Sequence, residues 1–376
     1  MSPIRTLFYI AIAAMAAACG RGGSGSKETI PATADTITSC AGLLDIVRHE
    51  GYTEATISDP WRPGHALARL ALVPRNSAAP DVPDGYTAVV RVPLERSVVF
   101  SSVHTAPVFE LGCGSAINAV ADGRWFPPAD TVARLLAEGR MQDIGSSSAP
   151  SVERILALGA DAVLLSPMQD SDNAAMQRAG ITAIPMADYM ERTPLARAEW
   201  IKLLGELYGA PAEADSIYKA VAAAYDSIRT AASEAGQRPK VLTETLTSGV
   251  WYVPGGTSYM ASMLTDAGAD YPWSDTDADG SLALDASAVL DRASDADIWL
   301  LRCFGGVPTY EDLARDNPAA RHISAFGKRN IYVCDTSAKN IFNDIAFHPE
   351  RILRDFAIIF HPGIAEGETT AYFEKI

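Results

Sequence analysis

The chain has 376 residues, 48% hydrophobic and 20% charged, which fits folded material with room for two domains and excludes a disordered chain. Its formal net charge of -15 leaves no basic field to neutralise phosphates, so a nucleic-acid partner is excluded. Five cysteines without a CxxC spacing argue against a structural zinc site, and six histidines without an HExxH pair argue against a zinc protease.

Residues 1–18 are set aside before fold reasoning. Arg5 supplies a charged start, and Leu7 to Ala18 is an apolar run of about 12 residues, short for a bilayer span. Small residues then lead into Cys19-Gly20. This resembles a bacterial lipoprotein signal with Cys19 as the lipidated first residue. Ala16 departs from the leucine usual there, and ordinary cleavage after Ala18 is the alternative. Residues 19–37, rich in Gly and Ser, read as a flexible tether. Of the remaining cysteines, Cys303 and Cys334 both end apolar runs and are positioned to pair if their strands adjoin; free buried thiols are the other reading for these and for Cys40 and Cys113.

Residues 38–93 read as a β-rich leader, with predicted strands over 52–58, 70–73 and 87–92 separated by Pro and Gly breaks. Through 94–210 short apolar runs (97–101, 117–121, 161–166, 181–186) alternate with helical patterns (130–138, 151–158, 173–179). Strands separated by single short helices predict a parallel sheet with crossover helices. Residues 211–236 hold one long helix. Pro211 opens it, Gly236 closes it, and Ala214, Ile217, Tyr218, Val221, Ala222, Tyr225 and Ile228 recur at three- and four-residue steps. That makes one apolar face along roughly 36 Å. The same spacing serves a strut between two lobes or an ordinary surface helix of one large domain. Through 237–376 the rhythm repeats, with strands predicted at 240–245, 250–253, 296–301 and 331–334 and helices at 258–267, 286–291 and 349–360. The predicted fold class is α/β: two doubly wound parallel-sheet lobes joined by one long helix, behind a small β-rich N-terminal leader.

In open parallel sheets, ligands collect outside the carboxyl ends of the strands, and two lobes can turn those ends toward one gap. The loops there hold suitable groups. The N-terminal lobe offers Ser101, Ser102, His104, Trp125, Phe126, Ser147 and Met168; the C-terminal lobe offers Trp251, Tyr252, Tyr259, Trp273, Arg302 and Phe304. Aromatic rings give flat apolar area with a polar tip, and Arg302 suits an anionic group. The tryptophans serve equally as lobe core.

Three stretches carry a resemblance to a family: RSVVFSSVHTAPVFELGCGSAINAVADGRWF, IGSSSAPSVERILALGADAVLLS and VWYVPGGTSYMASMLTDAGADYPW. They resemble the periplasmic siderophore- and cobalamin-binding proteins of ABC importers, which have a rigid interdomain helix. Gly159-Ala160 stands where Lys-Pro is usual, and the WYVPGG, HPE and FHPG segments are most similar to lipoproteins of that group. The resemblance covers roughly residues 94–363. It implies a non-enzymatic carrier without a cofactor of its own. The carrier captures a metal chelate (ferric siderophore, cobalamin or haem) and passes it to an ABC permease and its ATPase. It further implies a periplasmic monomer held to a bacterial membrane by its lipid. One acidic residue per lobe would dock permease arginines: Glu153, which also suits the helix N-terminus as a dipole partner, and Asp266.

Two rivals stand beside it. A haem or cobalt chelatase-like enzyme requires a carboxylate partner for His104 in the cleft. A free Zn or Mn ion binding protein requires three or four His, Asp or Glu ligands from both lobes, and His104 is the one histidine at a strand end. No GxSxG turn or P-loop occurs, and Gly255-Gly256 is weak evidence for phosphate binding.

Overall fold

Alternating apolar residues in β2 (Leu44–His49), β3 (Tyr52–Ser58) and β4 (Ala66–Pro74) bury one face of a leader sheet ordered β1-β2-β3-β4-β5, where β1 is Asp35–Thr36 and β5 is Ala88–Val92. The computed structural model describes residues 35–78, 83–126, 130–169, 174–364 and 367–376; the signal segment, nearly all of the tether and Cys19 lie outside the described residues. The leader does not stand apart. Ile46, Ile57, Leu70 and Leu72 share one core with Trp200, Leu203 and Leu204 of the N-terminal lobe.

That junction is fastened by two carboxylates. Glu199 accepts the backbone N–H groups of Ser39, Cys40 and Ala41 at 2.6–3.0 Å and the Lys202 ammonium at 2.8 Å. Glu191 accepts from Gly42 and Leu43, both at 2.9 Å, and from the Trp200 indole. A carboxylate enclosed by so many donors is held ionised; burial opposes this, but the hydrogen bonds keep the Glu199 carboxyl below its usual range.

The N-terminal lobe has a parallel sheet ordered β10-β9-β6-β7-β8, from β6 (Ser97–Val99), β7 (Ile117–Val120), β8 (Gln142–Asp143), β9 (Ala162–Leu165) and β10 (Ala183–Pro185). Its helices are α1 (Ser102–Glu110), α2 (Thr131–Ala137), α3 (Val152–Leu158), α4 (Ala174–Arg178), α5 (Pro194–Ala198) and α6 (Ile201–Tyr208). Both faces of this sheet are covered. Along β9, Ala162 and Leu164 join the leader-side core while Val163 and Leu165 join the core under α3 and α4. This two-sided burial is why the strand reads as a continuous apolar run.

The strut, α7 (Pro211–Glu234), has Ala214, Tyr218 and Val221 in the first core and Tyr225 in the second. The C-terminal lobe sets β11 (Val241–Thr243), β15 (Ile298–Cys303) and β16 (Ile331–Asp335) parallel, with β17 (Glu374–Lys375) antiparallel at the edge. Around them pack α8 (Tyr259–Asp266), α9 (Ala286–Ala293), α10 (Tyr310–Asp316), α11 (Ser324–Gly327), α12 (Ile341–Phe347) and α13 (Pro349–Phe360).

One strand departs from the expected repeat. β13 (Val250–Pro254) sits between β12 (Leu246–Thr247) and β14 (Ser281–Leu284) in a separate antiparallel sheet. Ser248 and Gly249, with φ of 51° and 84°, make a two-residue hairpin turn that reverses the chain. Cys303 and Cys334 lie on adjoining strands but are unbonded, as are Cys40 and Cys113; the Cys303 thiol donates to the Cys334 carbonyl instead.

Candidate functional site

The loops leaving β6, β7, β8 and β9 converge on a cavity of about 590 Å³. Ser101, Ser102, His104, Trp125, Phe126, Ser147 and Met168 all line it. Each loop is held in place locally. Ser101 caps α1 by accepting the Val103 N–H, and Asp122, in the left-handed region at φ 54°, accepts the Ser147 N–H at 3.0 Å. Trp125 is 66% and Met168 71% exposed, so both present apolar area to solvent, whereas Phe126 is mostly core. The Arg124 guanidinium lies 5.0 Å over the Trp125 ring.

The cavity floor is charged. Asp188 Oδ1 lies 2.7 Å from His104 Nε2, and Arg197 Nε donates to Asp188 Oδ2 at 3.1 Å, with all three side chains sealed from solvent. The carboxylate can only accept here, so His104 carries its proton on Nε2; its Nδ1 has no hydrogen-bond partner among the described residues. Burial pushes the Asp188 carboxyl up, but its contacts with His104 and Arg197 outweigh this and hold it low. Removing one member of such a network leaves an uncompensated charge, at a cost of about 3–5 kcal/mol.

Contacts from the second lobe reach the same floor. Arg197 stacks 4.9 Å over Tyr259 at the start of α8. Ser102 donates to Asn343 of α12 at 3.1 Å, and the neighbouring Phe342 ring lies 5.7 Å under Arg302, whose Nε donates to Glu244 at 2.7 Å. Tyr259 and Arg302 lie outside the cavity lining: Tyr259 touches it through Arg197, and Arg302, paired with Glu244, borders a separate small space. Tyr252 and Phe304 are exposed but outside the cavity lining.

Two residues expected in the cleft are instead C-terminal lobe core. Trp251 is fully buried, stacks on Trp299 at 5.6 Å and donates its indole N–H to the Thr243 carbonyl. Trp273 is 2% exposed and packs on Tyr271. For Trp251 the reason is strand alternation: successive side chains of β13 point to opposite faces, so with Tyr252 outward Trp251 turns in. Gly255 and Gly256 hold no phosphate cradle either. Their N–H groups donate to the Gly280 carbonyl and the Thr276 hydroxyl, and a Cβ on Gly255 would meet the Ala278 carbonyl at 2.3 Å. Close backbone approach is what requires glycine there.

The pattern of the periplasmic binding protein family matches residues 115–338. The chain belongs to that family. Two uncharacterized lipoproteins of Methanocaldococcus jannaschii resemble this binding protein. One is 28% identical over 298 residues, covering 76% of this chain and 70% of its own; the other is 27% identical over 337 residues, covering 84% and 83%. Among solved structures, an ABC-type Fe3+-hydroxamate transport protein of Saccharomonospora viridis superposes with a TM-score of 0.56 at 20% identity, over 71% of this chain and 93% of its own. A periplasmic heme binding protein of Pseudomonas aeruginosa does so with a TM-score of 0.56 at 18% identity, over 74% and 96%. At such identities these two show a shared two-lobed fold.

On this binding protein, Glu153 stands exposed in the first turn of α3, where Ser151 both caps the helix and donates to the Glu153 carboxylate. Asp266 is less open: its carboxylate accepts the Tyr225 hydroxyl of the strut at 2.8 Å and is half-buried, which ties α8 to α7. Asp188 and Tyr189 were missed although they follow the run 181–186, where the rule about strand ends points. Arg197 carries no such signal, because only the fold brings α5 to the cavity.

Proposed function

We propose that this binding protein is the capture component of an ABC importer for a metal chelate. It is anchored outside the cytoplasm through a lipid on Cys19 and delivers its cargo to a membrane permease. The observation that supports this most is the cavity of about 590 Å³ at the strand ends, lined by the N-terminal lobe and touched by the C-terminal lobe where Tyr259 meets Arg197 and Asn343 meets Ser102. That volume suits a bulky small molecule rather than a bare cation. Among the described residues, no group of three or more His, Cys, Asp or Glu side chains is disposed to hold a metal ion. The named cargoes of the solved relatives, an Fe3+-hydroxamate and a heme, are of the same chemical class.

One observation favours a second reading, a chelatase-like enzyme: His104 does have a carboxylate partner, Asp188, at 2.7 Å. The pair is poorly suited to proton transfer, since Asp188 is also ion-paired to Arg197 and both groups are sealed. Titrating the protein lacking residues 1–26 with a ferric siderophore, cobalamin and haem, followed by tryptophan quenching and visible absorption, separates the readings. Saturable binding of one class without turnover is expected. Binding of none, or metal insertion into a porphyrin, would overturn the carrier.

A further inference from the structure

Beside the cleft lies a second cavity of about 440 Å³, walled on one side by the leader and on the other by the N-terminal lobe. Ala183 and Pro185 of edge strand β10 form one wall, and the loop holding Trp61 and Arg62 forms the opposite one. Pro167 and Met168 line both cavities, so the two spaces adjoin across a single short loop. The residues from the leader all precede residue 115, where the family match begins.

The wall from the leader is built in advance. The Asp59 carboxylate is buried and accepts the N–H groups of Trp61 at 2.9 Å and Arg62 at 3.1 Å, as well as Arg62 Nε at 2.8 Å. Asp59 N donates to the His65 carbonyl and His65 N to the Arg62 carbonyl, closing the loop on itself. A loop fixed this way loses little entropy when a guest arrives. Asp59 engages Nε of Arg62, the side chain is 70% exposed, and among the described residues the terminal nitrogens of the fork have no hydrogen-bond partner, which leaves them for a ligand. A guanidinium beside an indole, with the Gln169 and Gln177 amides lining the same space, matches a planar oxyanion.

Resting on the reading of the cleft as a chelate site, we propose that this compartment receives a carboxylate-bearing arm of the same ligand whose bulk fills the cleft, held by Arg62 and Trp61. The test compares the mature protein with its Arg62→Gln and Trp61→Ala variants. Two matched pairs of probes are used: a ferric trihydroxamate with a pendant carboxylate and its carboxamide, and haem and its dimethyl ester. The unaltered protein should prefer the carboxylate member of the pair it binds by about tenfold or more, the worth of one charge-assisted hydrogen bond. Arg62→Gln should erase that preference while keeping affinity for the uncharged member, which also shows that the variant is folded. Trp61→Ala should weaken the carboxylate member more than the uncharged one. Equal affinity for both members in the unaltered protein, or a preference that survives Arg62→Gln, overturns the compartment and leaves the cleft reading standing. Binding of none of the four probes overturns the compartment, and if cobalamin is not bound either, the cleft reading falls with it.

Discussion

His348 joins the two lobes through a pair of carboxylates. Its Nε2 lies 2.8 Å from Glu110 at the end of α1 and its Nδ1 3.1 Å from Glu350 at the start of α13. Burial alone would depress the imidazolium, and Arg351 opposes it too, but hydrogen bonds to Glu110 and Glu350 push its pKa up to about 9. The same contact, more than burial opposes it, holds the Glu110 carboxyl below its usual range. A raised folded-state pKa stabilises the fold fully below the ordinary histidine value of about 6.5. That contribution is lost as pH rises through about 9. Each pKa unit is ~1.4 kcal/mol, and solvent screening brings the whole to about 1–2 kcal/mol. Urea unfolding between pH 6 and 10 should therefore show a fall in stability that His348→Gln removes; an unchanged slope in the variant would refute the assignment. The HPE segment was legible as a motif, but its work was not, because Glu110 is brought to it by the fold alone.

Among the elements, the strut has the clearest mechanical role, and it was also the most legible. Pro211 and the three- and four-residue spacing marked α7 within two residues of its ends, and Tyr52–Ser58 and Pro349–Phe360 were equally plain from alternation and helical period. Ala223 faces solvent at the point where the helix passes from one core to the other. Ala223→Pro removes a backbone hydrogen bond there and should cost about 3 kcal/mol or more. Calorimetry should then resolve separate melting of the lobes, and a single transition shifted by less than a degree would contradict the coupling. The hairpin of β12 and β13 was missed because Ser248-Gly249 was passed over as a turn and apolar periodicity does not distinguish a parallel strand from an antiparallel one. The site followed the same division. Residues in loops after N-terminal lobe strands could be placed from topology alone, but Trp251 and Trp273 could not, since one apolar run fits a cleft wall and a core equally well.

At the scale of the whole molecule, net charge and the exposed face of α3 meet in one expectation. A chain of net charge -15 suits a basic docking partner, and Glu153 is exposed while Asp266 is half-buried against Tyr225. Glu153→Arg should leave chelate affinity within about twofold, as expected for a surface change away from the cavity, and abolish uptake in a transport assay. Lost affinity with normal uptake would reverse the assignment. The last feature with reach across the molecule is α12. Ala346 and Phe347 complete the core beneath the first lobe, while Ile341 and Ile345 complete that of the second. The two cores therefore share one closing element, and neither lobe is sealed without it. A chain clipped behind Asn340 would carry a raw seam in each lobe, ready prey for a protease.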